Sequence, residues 1–136
     1  MDGLVRFGVS IEDDLLKRFD RFISKKGYSN RSEALRDLIR KHLAEKEWEE
    51  GGEVAGGIAI VYDHHHRELV DKLVDIQHDC HEIIISSQHV HLDHHNCLEV
   101  VVVKGEVKKV EKLVDSMRAL KGVTHCSLAR TTAGKL

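Results

Sequence analysis

Between Val5 and Ile11 apolar residues alternate with polar or small ones. Val5, Phe7, Val9 and Ile11 fall on one side, and Arg6, Gly8 and Ser10 on the other. A period of two predicts a half-exposed strand. From Leu15 the spacing becomes helical, with Leu15, Leu16, Phe19, Phe22 and Ile23 on one stripe. Ser10 precedes Asp13 by three positions in the manner of a capping box, and Glu12, Asp13 and Asp14 suit a helix N-terminus. Lys25, Lys26 and Gly27 close this helix, as basic residues and a terminal glycine do. The turn Tyr28-Ser29-Asn30 leads into a second helix whose apolar positions are Ala34, Leu35, Leu38, Ile39 and Leu43, running to about Trp48. The run Glu49-Glu50-Gly51-Gly52-Glu53 and the pair Gly56-Gly57 then interrupt the periodicity. Glycines mixed with charge predict a hinge over 49–57, dividing a front module (1–48) from a back module (58–136).

The back module reads as strand (58–62), helix (67–80), strand (83–92), turn, strand (97–103), helix (107–120) and strand (123–129). The order βαββαβ predicts a ferredoxin-like sandwich with helices on one face of a four-stranded sheet. The fold class is therefore α+β: a β-α-α front module followed by a ferredoxin-like, ACT-like domain.

A lone strand followed by two amphipathic helices cannot bury its own apolar stripe, and it leaves its backbone groups unpaired. Antiparallel pairing with the same strand of a second subunit resolves both problems and gives a ribbon-helix-helix arrangement. Arg6, Gly8 and Ser10 would then face the DNA major groove, which admits a two-stranded ribbon. The N-terminus of the second helix offers free backbone N–H groups for a DNA phosphate, with Asn30, Arg31 and Ser32 contributing there. The alternative is a front module that only dimerises, its Arg6 face ordinary solvated surface.

Charge sharpens this division. Residues 1–47 carry 11 Lys and Arg against 9 Asp and Glu, while 48–136 carry 10 against 14 and hold ten of the eleven histidines. A mildly basic front and an acidic, histidine-rich back imply modules with different partners. With 136 residues and only 4 % aromatics, each module is small, which favours an oligomer or a bound metal. No apolar run is long enough to span a membrane, and the N-terminal stretch from Met1 to Arg6 lacks a leader pattern. Cys80, Cys97 and Cys126 are an odd set without a paired framework, so reduced thiols and a cytoplasmic location are expected.

His89-Val90-His91 on a strand places both imidazoles on one face, because side chains alternate. Asp93-His94-His95-Asn96 makes the turn, and Cys97 opens the next strand close to His91. His78, at the end of the preceding helix, is a possible fourth ligand. Three nitrogens and one sulfur are a borderline-soft donor set suited to zinc, copper or nickel, with geometry deciding among them. Glu99, two residues beyond Cys97, is placed to accept from a ligand imidazole. His42 and His125 read as ordinary surface histidines, Cys80 and Cys126 as small packed residues. The run His64-His65-His66 reads as adventitious metal affinity on an exposed turn.

With the Arg6 strand, Gly27-Tyr28, Asn30-Arg31-Ser32-Glu33-Ala34, Tyr62-Asp63-His64, Gln77-His78, His89-Val90-His91, Cys97-Leu98-Glu99 and Lys104-Gly105, the chain resembles the nickel-responsive transcriptional regulators of the NikR family over nearly its whole length. The resemblance implies a repressor that binds double-stranded operator DNA when Ni(II) is bound, controlling genes of nickel uptake or nickel enzymes. It implies one Ni(II) per subunit, held in a square plane by His89, His91 and Cys97 of one subunit and His78 of a neighbour. It further implies an ACT-like back module that tetramerises as a dimer of dimers, a second cation site involving Glu33 and Asp37, and a DNA-backbone contact by Arg67. No enzymatic activity, membrane partner or small organic ligand is expected. Gly8 stands where the family often has threonine or serine, and His65-His66 where it is often charged.

Two other readings differ in class. A small metallohydrolase requires an open coordination position, which four protein donors do not leave. A metal buffer or small-molecule sensor without DNA binding would keep its function after deletion of residues 1–48, whereas a repressor would lose operator binding.

Overall fold

A computed structural model describes residues 3–134 and 136. Met1 and Asp2, which open the stretch read above for a leader, lie outside the described residues. The elements in chain order are α1 (Asp13–Lys25), α2 (Arg31–Glu50), β1 (Glu53–Asp63), α3 (Arg67–Asp79), β2 (Ile84–His91), β3 (Asn96–Glu106), α4 (Val107–Arg118) and β4 (Val123–Thr131). Two compact units are formed, Met1–Ile39 and Arg40–Leu136.

In the first unit, residues 3–12 carry no regular element in the single chain, although their alternation predicts a strand. A strand needs a ladder partner, and this unit contains none among the described residues. The apolar side chains accordingly stand in the open, with Phe7 70 % and Val9 64 % exposed. Helix α1 begins after Glu12, which makes no side-chain cap, so the expected Ser10 capping box does not form. Its other end follows expectation. Gly27 takes φ +82°, its N–H donates to Ser24 O at 3.1 Å, and Tyr28 N–H donates to Ile23 O at 3.0 Å. These two bonds satisfy orphan carbonyls of the last turn. Asn30 Oδ1 accepts from Glu33 N–H at 2.9 Å and caps α2.

The second unit is the βαββαβ sandwich. Its sheet has the order β2-β3-β1-β4 with every neighbouring pair antiparallel, so β2 and β4 are the edges. Alternate residues of β1 (Val54, Ile58, Ile60, Tyr62) and β3 (Cys97, Val101, Val103) are buried with Leu69 and Leu73 of α3 and Val110, Leu113 and Met117 of α4. At about 1.5–3 kcal/mol for each large apolar side chain removed from water, this layer dominates the unit's stability.

The break expected over 49–57 is confined to Gly51-Gly52, between α2 and β1, and the two compact units divide at Ile39/Arg40, upstream of the expected Trp48. Helix α2 continues to Glu50 and β1 begins at Glu53, five residues before the expected Ile58. Trp48 explains both changes. It is buried in the sandwich core, and its indole Nε1–H donates to Thr131 O at 2.8 Å. Gly56 is a packing glycine, because a Cβ there would lie 2.8 Å from Ala129 O and 3.5 Å from the Trp48 ring. No helix among the described residues is long and apolar enough to cross a membrane.

Candidate metal centre and nucleic-acid interface

The β2–β3 hairpin sets the donors. Asp93 Oδ1 accepts from the backbone N–H groups of His95 and Asn96 at 2.8 Å each, and the Asn96 amide also donates to Asp93. These bonds hold the Asp93 carboxyl at about 2, well below its ordinary value. The turn fixes the register in which His91 faces Cys97 and His89 faces Glu99. Directly opposed residues of an antiparallel pair project to the same side, so all four share one face. Cys97 Sγ lies 3.5 Å from His91 Nδ1, and the His89 and His91 rings are 5.6 Å apart. The thiol is fully buried, whereas both imidazoles are exposed on the edge strand.

His64, in the loop after β1, completes the local cluster. One donor atom each of His64, His91 and Cys97 lie within 4.8 Å of one another. The His64 ring meets that of His91 edge-on at 4.8 Å, and its buried Nδ1 has no hydrogen-bond partner. Desolvation, followed by the neighbouring His65 and His91, lowers the His64 pKa and favours its neutral form. An imidazole nitrogen without a partner beside a buried thiol fits a borderline-soft divalent ion. Burial, reinforced by Asp63, Asp93 and Glu99, pushes the Cys97 thiol up. It therefore stays protonated at neutral pH until a cation offsets that cost. Tyr62, facing Cys97 from β1, is pushed up to about 12, first by burial and then by Glu99 and Cys97.

The contact expected of Glu99 takes a different form. Glu99, only 8 % exposed, accepts from the Gln77 amide at 3.0 Å on both carboxylate oxygens, and not from an imidazole. The carboxylate thus ties β3 to the last turn of α3. His78, the next residue, is exposed with its ring 6.2 Å from that of His81, and it is not among the donors gathered around Cys97 in this chain.

Of the residues expected at DNA, Arg6, Gly8, Ser10 and Ser32 are exposed, as is Arg67 at the start of α3. Asn30 is engaged as the α2 cap. Arg31 grips Asp20 through two bonds of 2.9 Å each, so its guanidinium fork is occupied within the unit. Asp37 accepts from the Tyr28 hydroxyl at 2.8 Å. Among the described residues, neither Glu33 nor Asp37 belongs to a cluster of metal-type donors.

Residues 55–131 match the family model described as the NikR C-terminal nickel-binding domain, and residues 5–46 match that of ribbon-helix-helix proteins of the copG family. The chain belongs to the nickel-responsive regulator family. A nickel-responsive regulator of Syntrophus aciditrophicus is 55 % identical over 136 residues, spanning 100 % of this chain and 99 % of the relative. One from Chlorobium limicola is 57 % identical over 134 residues, spanning 98 % and 100 %. Membership of this family makes the chain a transcriptional regulator and not an enzyme. Among solved structures, an uncharacterized protein of Thermotoga maritima superposes with a TM-score of 0.53 at 13 % identity, covering 57 % of this chain and 96 % of that one. That likeness concerns the fold alone.

His64, expected with His65 and His66 to offer adventitious metal affinity on an exposed turn, is instead half-buried beside His91 and Cys97. The pairing of Asp63 with Asn96 and the bond from His64 N–H to His95 O bring it to the hairpin, and no local spacing signals either.

Proposed function

We propose that this regulator is a cytoplasmic repressor that binds operator DNA when Ni(II) occupies a centre built from His89, His91 and Cys97 and completed by His78 of the partner subunit. The observation that carries this reading is the placement of a buried thiol and two imidazoles on one face of an edge hairpin. Exposed donors on an outermost strand, with His78 turned out to solvent, suit a centre shared between copies. Bound nickel would supply the positive charge against which the Cys97 thiol gives up its proton.

The front unit supplies the DNA arm of the proposal. Its open row of Val5, Phe7, Val9 and Ile11 is buried when two copies pair antiparallel, and Arg6, Gly8 and Ser10 then line the groove-facing side. Asn30 and Ser32 lie at the α2 N-terminus, where backbone N–H groups favour phosphate, and Arg67 reaches the DNA backbone. A homotetramer follows if the back units also associate, with one Ni(II) per subunit. Glu33 and Asp37 share a face of α2 at helical spacing and are the proposed second cation pair.

Metal acts on DNA binding only through a difference in affinity between states. An electrophoretic mobility-shift titration with the regulator's own upstream DNA tests this. Nickel is expected to raise affinity for wild type and to leave His89→Ala unaffected. Equal DNA affinity with and without nickel in both proteins overturns the proposal.

A further inference from the structure

Two histidine runs remain largely unused by the nickel centre: His65-His66 after β1, and His94-His95 in the β2–β3 turn. The fold brings them together. Asp63, the last residue of β1, pairs with Asn96, and His64 N–H donates to His95 O at 3.2 Å. One donor atom each of Asp63, His65 and His95 then lie within 4.8 Å of one another. The His65 ring lies 5.5 Å from that of His95 and 5.6 Å from that of His94, and the last two are 5.1 Å apart.

Position and chemistry separate this cluster from the Cys97 centre. The His65 and Asp63 side chains are 51 % and 49 % exposed, so an ion can reach them without disturbing the core. Asp93, the other nearby carboxylate, is committed to the turn and helps to hold His95 in place. Asp63 performs a similar service, accepting from the His65 backbone N–H at 2.9 Å and lying 3.2 Å from its Nδ1. A solvated cluster of this kind can exist for hydrogen bonding alone. Yet three imidazoles drawn from two loops, gathered beside a carboxylate, form a donor set with no sulfur and little need to reorganise. Such nitrogen and oxygen donors suit nickel, copper, cobalt and zinc in the divalent state.

We propose that Asp63, His65 and His95 form a second divalent transition-metal site, with His94 within reach as a further donor. An ion there clamps the loop between β1 and α3 to the β2–β3 turn. That loop also supplies His66, whose Nδ1 accepts from Leu69 N–H at 3.1 Å to cap α3, so the clamp fixes where α3 begins. The site goes beyond the nickel-switch reading and does not depend on it, since it uses none of His78, His89, His91 or Cys97.

Equilibrium dialysis of the full chain against Ni(II) alone tests the site in a Cys97→Ser/His91→Ala background. Nickel is expected to bind still, without thiolate-to-metal charge-transfer absorption. Adding His65→Ala and His95→Ala is expected to weaken that binding at least about tenfold, since even residues that only orient ligands typically contribute that much. Asp63→Asn in the same background should weaken it as well, and circular dichroism reports whether each variant is folded. Absence of binding in the background protein overturns the proposal, and so does binding that survives loss of His65 and His95. Failure of the Cys97 centre would appear separately, as absent charge-transfer absorption in wild type.

Discussion

Residues 5–11 and strand β1 are written in the same alternating code and meet opposite fates. Strand β1 has β3 on one side and β4 on the other, and its inward residues Val54, Ile58 and Ile60 are wholly buried. The N-terminal segment finds no such neighbours, so Val5, Phe7, Val9 and Ile11 remain exposed. Alternation therefore encodes a readiness to pair. Whether a ladder forms depends on where the partner strand is encoded, within the chain or in another copy.

Substitutions can break this contrast. The largest effect is expected from Ile60→Ala, which opens a cavity beneath the centre of β1. It should cost about 2–5 kcal/mol in urea denaturation, independent of protein concentration. Phe7→Ala should behave differently. On the proposed pairing its ring is buried only against a second copy, so the loss, about 1.5–3 kcal/mol per subunit, should appear as weaker self-association and a more concentration-dependent melt of the front unit. An effect of Phe7→Ala that is identical at all concentrations would place its burial within one chain.

The smallest effect concerns pH. The Arg31 hydrogen bond holds the Asp20 carboxyl below its ordinary value of 3.8, and both groups are exposed. A depressed folded-state pKa gives stability that is present above the unfolded value and fades as pH falls through the folded one. Acid titration of the front unit should therefore show a slight loss below about pH 4 in wild type, absent in Asp20→Asn.

Much of this architecture is legible in the sequence because it rests on local periodicity. The six-element order of the sandwich, the Gly27 helix end and the pairing of His91 with Cys97 across a tight hairpin all arise within a few residues. What escapes is contact between distant segments. Gly56 looks like a breaker until Trp48 and the Ala129 carbonyl are seen to occupy the space of its side chain. Arg31 looks free for phosphate until α1 delivers Asp20 to it. His64 joins His91 only through strand register and its backbone bond to His95, and Glu99 meets Gln77 only through the packing of α3 on the sheet.

The Gln77–Glu99 contact has a mechanical meaning. It is a caliper set between a helix and a sheet. One jaw is the residue before His78, and the other is a carboxylate two places from Cys97 and opposite His89. Because the Glu99 side chain is almost wholly enclosed, releasing the caliper leaves a buried polar group without its partner, which costs free energy. The end of α3 is thus gauged against the hairpin before any ion arrives. Were two copies to share an ion there, as proposed, both would meet it with the same spacing.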